Sequence, residues 1–170
     1  LDIGCAFASF LSVCPPHWDR FGVDMSFFGV QSAAQRLGEN RVITGSAEAI
    51  GLDHPFDLIT AFDTLEHVPD LDKVKGELQR LLRPQGYFLF VVPVFDGPTG
   101  PIISLLDKDP THVHKMARQF WLNWAGEDFD ILDWWGMYRY LLPGGVYLHW
   151  PTHALRKYTP AIAVLCRAKH

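Results

Sequence analysis

The sequence predicts a doubly wound α/β fold, in which helices cover both faces of a largely parallel sheet. Short apolar segments typical of strands alternate with segments of helical periodicity through the first half of the 170-residue chain. The strand segments are mostly continuous apolar runs, as expected for parallel strands that are buried on both faces. Small, polar or acidic residues follow several of these runs, at the sheet edge where such folds bind ligands.

The elements of the first half follow in a regular order. Strands are predicted at residues 1–5, 20–24, 41–44, 56–62 and 86–92, and helices at residues 7–13, 26–37 and 71–82, with a short turn at 47–50. Ser26 and Asp70 are expected N-caps because their side-chain oxygens can accept hydrogen bonds from unpaired backbone amides. Gly38 and Pro84 are the expected stop signals of the second and third helices.

The pattern becomes less regular after Pro93. A turn-rich loop covers residues 95–101, and residues 102–111 show no clear period. We predict a helix at 117–125, a strand at 129–135 and a final strand at 161–167. Residues 137–158 are rich in aromatic side chains and fit no regular element, so we interpret them as an insertion between the last two strands of one domain, residues 1–170. Because the sequence begins within its first strand, we expect N-terminal elements of the domain to precede Leu1.

Composition limits the class of partners. The net charge is −4 and the basic residues are dispersed, so nothing in the sequence favours a nucleic acid. No apolar run approaches the ~20 residues that span a bilayer. The three cysteines lack the spacing of a zinc site or a redox pair, which favours reduced, buried thiols in a cytoplasmic protein.

The opening segment has the form of a nucleotide-binding unit. Residues 1–11, LDIGCAFASFL, combine a strand, a turn of small residues and the start of a helix. The second strand ends in GVDMS at residues 22–26, and a carboxylate at that place can accept both ribose hydroxyls. Asp24 is therefore a candidate nucleotide ligand, and a surface turn residue is the less favoured alternative.

Further motifs follow in order and identify the nucleotide. They are VITGSAEAI at 42–50, FDLITAFDTLEHVPD at 56–70 and LLRPQGYFLFVVP at 81–93. Together these segments resemble the class I S-adenosylmethionine-dependent methyltransferases, in the small-molecule group with an LEHV-type fourth motif. The resemblance covers roughly residues 1–93 well, and the histidine-led segment at 111–124 more weakly. A nicotinamide-dependent oxidoreductase is disfavoured because GxGxxG is absent.

The resemblance implies a Rossmann-like sheet of seven strands, mostly parallel with the last strand antiparallel, and S-adenosylmethionine as cofactor. Residues at the first strand end would lie near the methionine part of the cofactor, Asp24 at the ribose, and residues of the second and third strand ends at the adenine. The implied cofactor residues are Asp2, Gly4, Cys5, Ala6, Asp24, Met25, Ser46, Ala47, Ala61 and Phe62. For Met25 and Phe62, ordinary core packing is the alternative.

The turn departs from the family pattern at two positions. Relatives usually have GxGxG, and here Ala6 and Ala8 replace the second and third glycines. An alanine methyl costs little at negative φ, and about 1 kcal/mol or more at positive φ. A catalytically weak or inactive binding protein with this fold is therefore the alternative to an enzyme.

Candidate catalytic groups follow the fourth and fifth strands. Asp63, Glu66 and His67 come after the fourth strand, and His112 and His114 lie in the loop after Pro93. His67 and His112 are the candidate catalytic residues, because imidazole suits proton transfer at neutral pH. Their alternative roles are structural, in a turn and at a helix start. No metal site is predicted, because no third ligand is evident beside the two loop histidines. The expected reaction is methyl transfer to a small molecule, with oxygen favoured as the acceptor and nitrogen or carbon left open.

The aromatic segment has three interpretations that the sequence leaves open. It could line an apolar or sugar-binding pocket, form the surface of a homodimer, or rest on a region upstream of Leu1. Its main aromatic residues are Trp134, Trp135, Tyr138, Tyr140, Tyr147 and Trp150.

Overall fold

The structure is a computed structural model and describes residues 1–98, 100–142 and 146–169. Within those ranges, eight strands form one sheet: β1 Asp2–Ile3, β2 Gly22–Asp24, β3 Val42–Thr44, β4 Phe56–Phe62, β5 Leu82–Pro93, β6 Phe129–Leu142, β7 Val146–Thr152 and β8 Ala161–Ala168. The helices are α1 Ser9–Val13, α2 Phe27–Leu37, α3 Leu71–Leu81, α4 Gly100–Leu106 and α5 Arg118–Asp128.

The sheet confirms the predicted doubly wound fold. The strand order is β3-β2-β1-β4-β5-β8-β6-β7, and β1 to β5 pair in parallel. β8 pairs antiparallel with both β5 and β6. The strand order reverses between β1 and β4, and ligands of such sheets bind at the carboxyl ends of the strands near this point.

The predicted helix caps are confirmed. The Ser26 side chain accepts a hydrogen bond from the Gly29 amide at the start of α2, and Asp70 accepts one from the Lys73 amide at the start of α3. Helix α2 ends at Gly38, which has a φ of 106° that glycine adopts without strain. Helix α3 ends before Pro84, which lies where the pairing of β5 with β4 is irregular.

The helices cover the two faces of the sheet separately, because right-handed crossovers in opposite directions along the sheet place them on opposite sides. A small apolar cluster joins α1 and α2 to the sheet, and includes Ala8, Leu11 and Val30. A larger core joins α3 and α5 to the other face. There Trp121 is fully buried and packs against Phe90 of β5. None of the helices in the described ranges is both long and apolar enough to cross a bilayer.

Two predictions for the second half need correction. The segment 137–158 was expected to be irregular, yet most of it forms the end of β6 and all of β7, which gives an eighth strand. Met137 is the last β6 residue paired with β8, so the rest of this hairpin extends past the carboxyl edge of the sheet. A ribbon outside the layered sheet needs no continuous apolar run, and its sequence therefore lacks the strand signal. Helix α4 also forms where no period was found, with Pro101 in its first turn.

Candidate functional site

Four consecutive parallel strands end at one cleft. Its wall comes from the turns that follow β1, β2, β3 and β4, and it encloses about 290 Å³. The lining residues are Ile3, Gly4, Ala6, Val23, Asp24, Met25, Gly45, Ser46, Ala47, Asp63, Thr64, His67, Val68 and Pro69. Six of the ten predicted cofactor residues are among them: Gly4, Ala6, Asp24, Met25, Ser46 and Ala47.

Asp24 is held by the backbone of two turns. Its Oδ2 accepts a hydrogen bond from the Ala6 amide at 2.8 Å, and its Oδ1 accepts one from the Ser26 amide at 2.7 Å. These two bonds fix the carboxylate at the end of β2 and tie it to the turn after β1. Each oxygen keeps further acceptor capacity, so the group can still receive two hydroxyls of a ligand.

The turn after β1 has the backbone that the missing glycines would favour. Gly4 has a φ of 74°, and a Cβ at this position would lie 2.1 Å from Thr64 Oγ1. Ala6 and Ala8 have φ values of 45° and 55°, in the left-handed region where L-residues are strained. The two alanines are therefore strained.

Two hydrogen bonds hold the turn after β3. Ser46 Oγ accepts a hydrogen bond from the Glu48 amide, and the Glu48 carboxylate accepts one from the Asp70 amide at 2.8 Å. The latter bond links this turn to the start of α3. Ser46 and Ala47 consequently lie on the cleft wall in a fixed position.

The other four predicted cofactor residues do not line the cleft. Asp2 is buried beside β4, where Thr60 donates a hydrogen bond to its carboxylate at 2.6 Å, and burial raises its pKa to about 6. Burial likewise raises the pKa of the Cys5 thiol to about 12. Ala61 belongs to the core, and the Phe62 ring packs edge-on against Phe10. Their proposed roles toward the cofactor remain predictions.

The structure brings the two candidate histidines together beside the cleft. The ring centroids of His67 and His112 lie 4.6 Å apart, although 45 positions separate them in the chain. The backbone oxygen of Glu66 accepts bonds from the amides of Val113 and His114, which holds the loop after α4 against the turn Leu65–His67. His67 lines the cleft. His112 is not one of the lining residues, but its ring contacts that of His67.

Each imidazole is oriented through its Nδ1. Thr111 Oγ1 donates to Asp109 at 2.6 Å, so it must accept from His67 Nδ1, 2.9 Å away. His112 Nδ1 donates to Asp107 Oδ2 at 2.9 Å. Burial alone would raise the pKa of Asp107, but the hydrogen bonds from His112 and Lys115 lower it to about 2. In the neutral form of both rings, Nε2 therefore carries the lone pair, and His112 Nε2 lies 4.0 Å from Asp109 Oδ2.

Glu66 is the third ionisable group of this cluster. The residue is only 1% exposed, and its Oε2 has no hydrogen-bond partner among the described residues. Burial raises the pKa of its carboxyl to about 8. A carboxylate oxygen of Glu66 and one nitrogen of each histidine all lie within 4.8 Å of one another.

The β6–β7 hairpin reaches the rim of the cleft. Arg139 of β6 forms an ion pair with Asp63 at 2.6 Å, and Asp63 has a left-handed φ of 50°. Backbone strain of this kind in a non-glycine residue concentrates at functional sites. The ion pair therefore joins the hairpin to Asp63, which lines the cleft.

The aromatic residues singled out between positions 134 and 150 lie in different surroundings. The Trp134 ring packs under the Arg156 guanidinium, the Trp135 ring contacts His153, and Trp150 is exposed. Tyr138 has an interaction partner of its own. The side chains of Tyr140 and Tyr147 lie outside the described residues. The three interpretations of the segment therefore stay open.

A second cavity, of about 390 Å³, lies at the opposite end of the strands. Its wall includes Cys14, Trp18, Arg20 and Pro55, which lie near the amino ends of the strands. Although this cavity is larger, ligands of doubly wound sheets bind at the carboxyl ends, where the smaller cleft lies.

Sequence reasoning missed several residues of the cleft wall, among them Gly45, Thr64, Val68 and Pro69. Thr64 donates to the backbone oxygen of Ile3 at 3.2 Å, and its side chain occupies the space that a Cβ at Gly4 would need. A glycine at the end of the first strand is the signal that another chain segment passes close to it.

Comparisons with known proteins agree with this geometry. The family model described as "Methyltransferase domain" matches residues 1–90. A curated relative, "Uncharacterized methyltransferase YcgJ" of Bacillus subtilis, is 34% identical over 134 residues, which cover 71% of this chain and 52% of the relative. The chain thus spans about half the length of that relative.

Solved structures share the fold at low identity. A Thermotoga maritima protein described as a "SAM-dependent methyltransferase, possible histamine N-methyltransferase" has a TM-score of 0.74 at 16% identity, over 99% of this chain and 80% of that one. The Bacillus subtilis YcgJ structure has a TM-score of 0.70 at 20% identity, over 99% and 91%. The N-methyltransferase NodS of Bradyrhizobium japonicum, in complex with S-adenosyl-L-homocysteine, has a TM-score of 0.65 at 15% identity, over 99% and 76%.

Proposed function

The chain belongs to the class I S-adenosylmethionine-dependent methyltransferases, and from this premise we propose that it transfers the methyl group of S-adenosylmethionine to a hydroxyl oxygen of a small molecule. The observation that carries the proposal is the convergence of four strand ends on one cleft, with Asp24 fixed there by two backbone amides. A fixed carboxylate at this place suits the two ribose hydroxyls of the cofactor.

The cofactor would lie along the strand ends. Its ribose would bind Asp24, its adenine would lie against Met25, Ser46 and Ala47, and its methionine part would follow the turn from Gly4 to Ala6. This turn approaches the ligand with backbone only at Gly4, where Thr64 leaves no room for a side chain. No phosphate cradle is needed, because the cofactor carries no pyrophosphate.

Transfer is an in-line displacement at a sulfonium that is already activated. A lone pair of the acceptor oxygen forms the new bond to the methyl carbon while the sulfur–carbon bond breaks, and S-adenosylhomocysteine leaves. The protein then has to position the acceptor and receive its proton. His67 would present its Nε2 lone pair at the cleft, with the His112 ring beside it, and Asp107 would stabilise the His112 imidazolium once it forms.

A weakly active or inactive protein with the same fold is the second candidate function, because Ala6 and Ala8 are strained. Strain in the turn lowers stability but does not block the cleft, since the Ala6 amide still reaches Asp24. We therefore favour the enzyme.

Calorimetric titration with S-adenosylhomocysteine tests cofactor binding. Asp24→Asn should weaken binding about 10- to 100-fold, because hydrogen bonds to a charged group contribute about 1.5–3 kcal/mol. Asp53→Asn makes the same charge change at a fully exposed side chain and should leave binding unchanged. A wild-type protein that binds no S-adenosylhomocysteine would overturn the proposal.

Activity is tested with methyl-labelled S-adenosylmethionine and panels of small hydroxyl, amine and carbon acceptors. Label in a hydroxyl compound supports oxygen transfer, and label only in amines or carbon acids would contradict it. We also propose that the protein acts in the cytoplasm, since its three cysteines are buried and free of disulfides. A homodimer remains a prediction that sedimentation can test.

A further inference from the structure

Beside the cofactor cleft, three side chains with metal-binding atoms face one another. They are Glu66 and His67 from the turn after β4, and His112 from the loop after α4. One carboxylate oxygen and two imidazole nitrogens all lie within 4.8 Å of one another. They come from two separate segments, and the backbone bonds from Val113 and His114 to Glu66 hold those segments together.

Both imidazoles are already oriented as metal ligands. In protein metal sites, a ligating histidine usually gives its other ring N–H to a carboxylate or another oxygen, which fixes the tautomer. Here His112 Nδ1 donates to the Asp107 carboxylate, and His67 Nδ1 donates to Thr111. Each ring is thereby left with an Nε2 lone pair for a cation, and the Asp109 carboxylate lies 4.0 Å from that of His112.

Glu66 supplies an independent observation. The residue is 99% buried, and its Oε2 is without a hydrogen-bond partner within the described part of the chain. A buried carboxylate oxygen without a partner is costly, and side chains in this state are usually paired or bound to a metal. A cation between the three groups would satisfy this oxygen.

We propose that Glu66, His67 and His112 bind one divalent transition-metal ion through a carboxylate oxygen and the two Nε2 atoms. Two imidazoles and one carboxylate form a ligand set that suits Zn²⁺ and its neighbours in the first transition row, with a coordination position left open. Mg²⁺ and Ca²⁺ fit poorly, because they prefer shells made of oxygen alone.

The position of the site gives the ion a role that rests on the proposed function. His67 also lines the cofactor cleft, so an ion held by His67 would lie next to that cleft. An acceptor hydroxyl bound there would lose its proton to water more readily, because the cation lowers the hydroxyl pKa. A bound ion would thus supply acidity to the acceptor hydroxyl, and His67 and His112 would hold it; without the ion, the histidines would receive the proton themselves.

Titration of the metal-free chain with Zn²⁺ alone, in a buffer that does not bind the metal, tests the site. We expect one Zn²⁺ per chain. Glu66→Gln and His112→Gln should each weaken binding ~100-fold or more, and Asp107→Asn, which leaves all three ligands in place but alters the partner of His112, should weaken it about 10- to 100-fold. His153→Gln alters an exposed histidine away from the cluster and should bind Zn²⁺ like the wild type.

The outcomes separate the two proposals. Zn²⁺ binding that Glu66→Gln leaves unchanged, or that His153→Gln weakens equally, would overturn the metal site. The absorption bands of bound Co²⁺ provide a second readout, since nitrogen and oxygen ligation gives visible bands that the Glu66 variant should lose. S-adenosylhomocysteine titration and thermal melting of each variant report whether it is folded. Failure of the wild type to bind S-adenosylhomocysteine would overturn the proposed function and leave the Zn²⁺ result standing.

Discussion

Replacing Ala6 and Ala8 by glycine tests whether the turn after β1 is strained. Ala6 and Ala8 have φ values of 45° and 55°. An L-residue in this region costs about 1–2 kcal/mol, whereas glycine adopts it freely. Glycine also gains freedom in the unfolded chain, which lowers stability by about 0.4–1 kcal/mol. For the exposed Ala6, the balance makes Ala6→Gly more stable by about 0.5–1 kcal/mol.

Ala8 differs because its methyl group is fully buried in the cluster between α1 and α2. Removing that methyl costs about 0.8 kcal/mol, which cancels the relief of strain. Ala8→Gly should therefore be close to the wild type or slightly less stable. Ala34→Gly provides the matched control, because Ala34 lies within α2 in an ordinary helical backbone. That change should cost about 1 kcal/mol.

Urea unfolding followed by tryptophan fluorescence measures these differences. The expected order of stability is Ala6→Gly, then wild type and Ala8→Gly, then Ala34→Gly, with the same dependence on urea for all four. S-adenosylhomocysteine binding by Ala6→Gly should be at least as tight as wild type, since the amide that holds Asp24 remains. If Ala6→Gly lost as much stability as Ala34→Gly, the inference of strain at this turn would be wrong.

Three further predictions concern the core and its ionisable groups. Leu78→Ala removes a fully buried side chain and should lower the free energy of unfolding by about 2–5 kcal/mol, measured from the urea midpoint at constant m. Because burial raises the pKa of Asp2 to about 6, the folded protein binds more protons than the unfolded chain between pH ~4 and ~6. The free energy of unfolding should therefore fall by about 3 kcal/mol as the pH rises through that window. If Asp2→Asn showed the same dependence of this free energy on pH as the wild type, the prediction would be wrong. Burial raises the pKa of the Cys5 and Cys166 thiols to about 12, so neither should react with a thiol reagent at pH 8 until urea unfolds the chain. Cys14 borders the larger cavity and should react first, and fast reaction of all three thiols in the folded protein would count against the buried placement.

The sequence predicts the parallel half of the sheet well because that half follows local rules. Continuous apolar runs, side-chain caps at Ser26 and Asp70, and a glycine after α2 all act over a few residues. The hairpin beyond Met137 was missed because its strands pair mainly with each other outside the layered sheet. Hydrophobic periodicity arises where an element is buried against a neighbouring layer, and this hairpin projects beyond the layers.

The site shows the same division. Asp24, Ser46 and Ala47 could be placed because each follows a strand directly, and parallel strands end at one edge. The meeting of His67 with His112 could not be predicted, because a loop closed by backbone bonds to Glu66 brings them together. Thr64 was missed for a similar reason, since its contact with Gly4 joins residues 60 positions apart.

The position of β8 between β5 and β6 delays completion of the sheet during synthesis. Strand β5 pairs on one edge with β4, which precedes it, but its other edge waits for β8, from Ala161 onward. About 70 residues separate Pro93 from Ala161, and at roughly 5–20 residues per second the ribosome needs between about 4 and 14 seconds to make them. During that interval the apolar side chains of Phe88 and Phe90 lie on a strand with an open edge. Nascent chains should therefore depend on chaperones most strongly while the segment between Pro93 and Ala161 is being made.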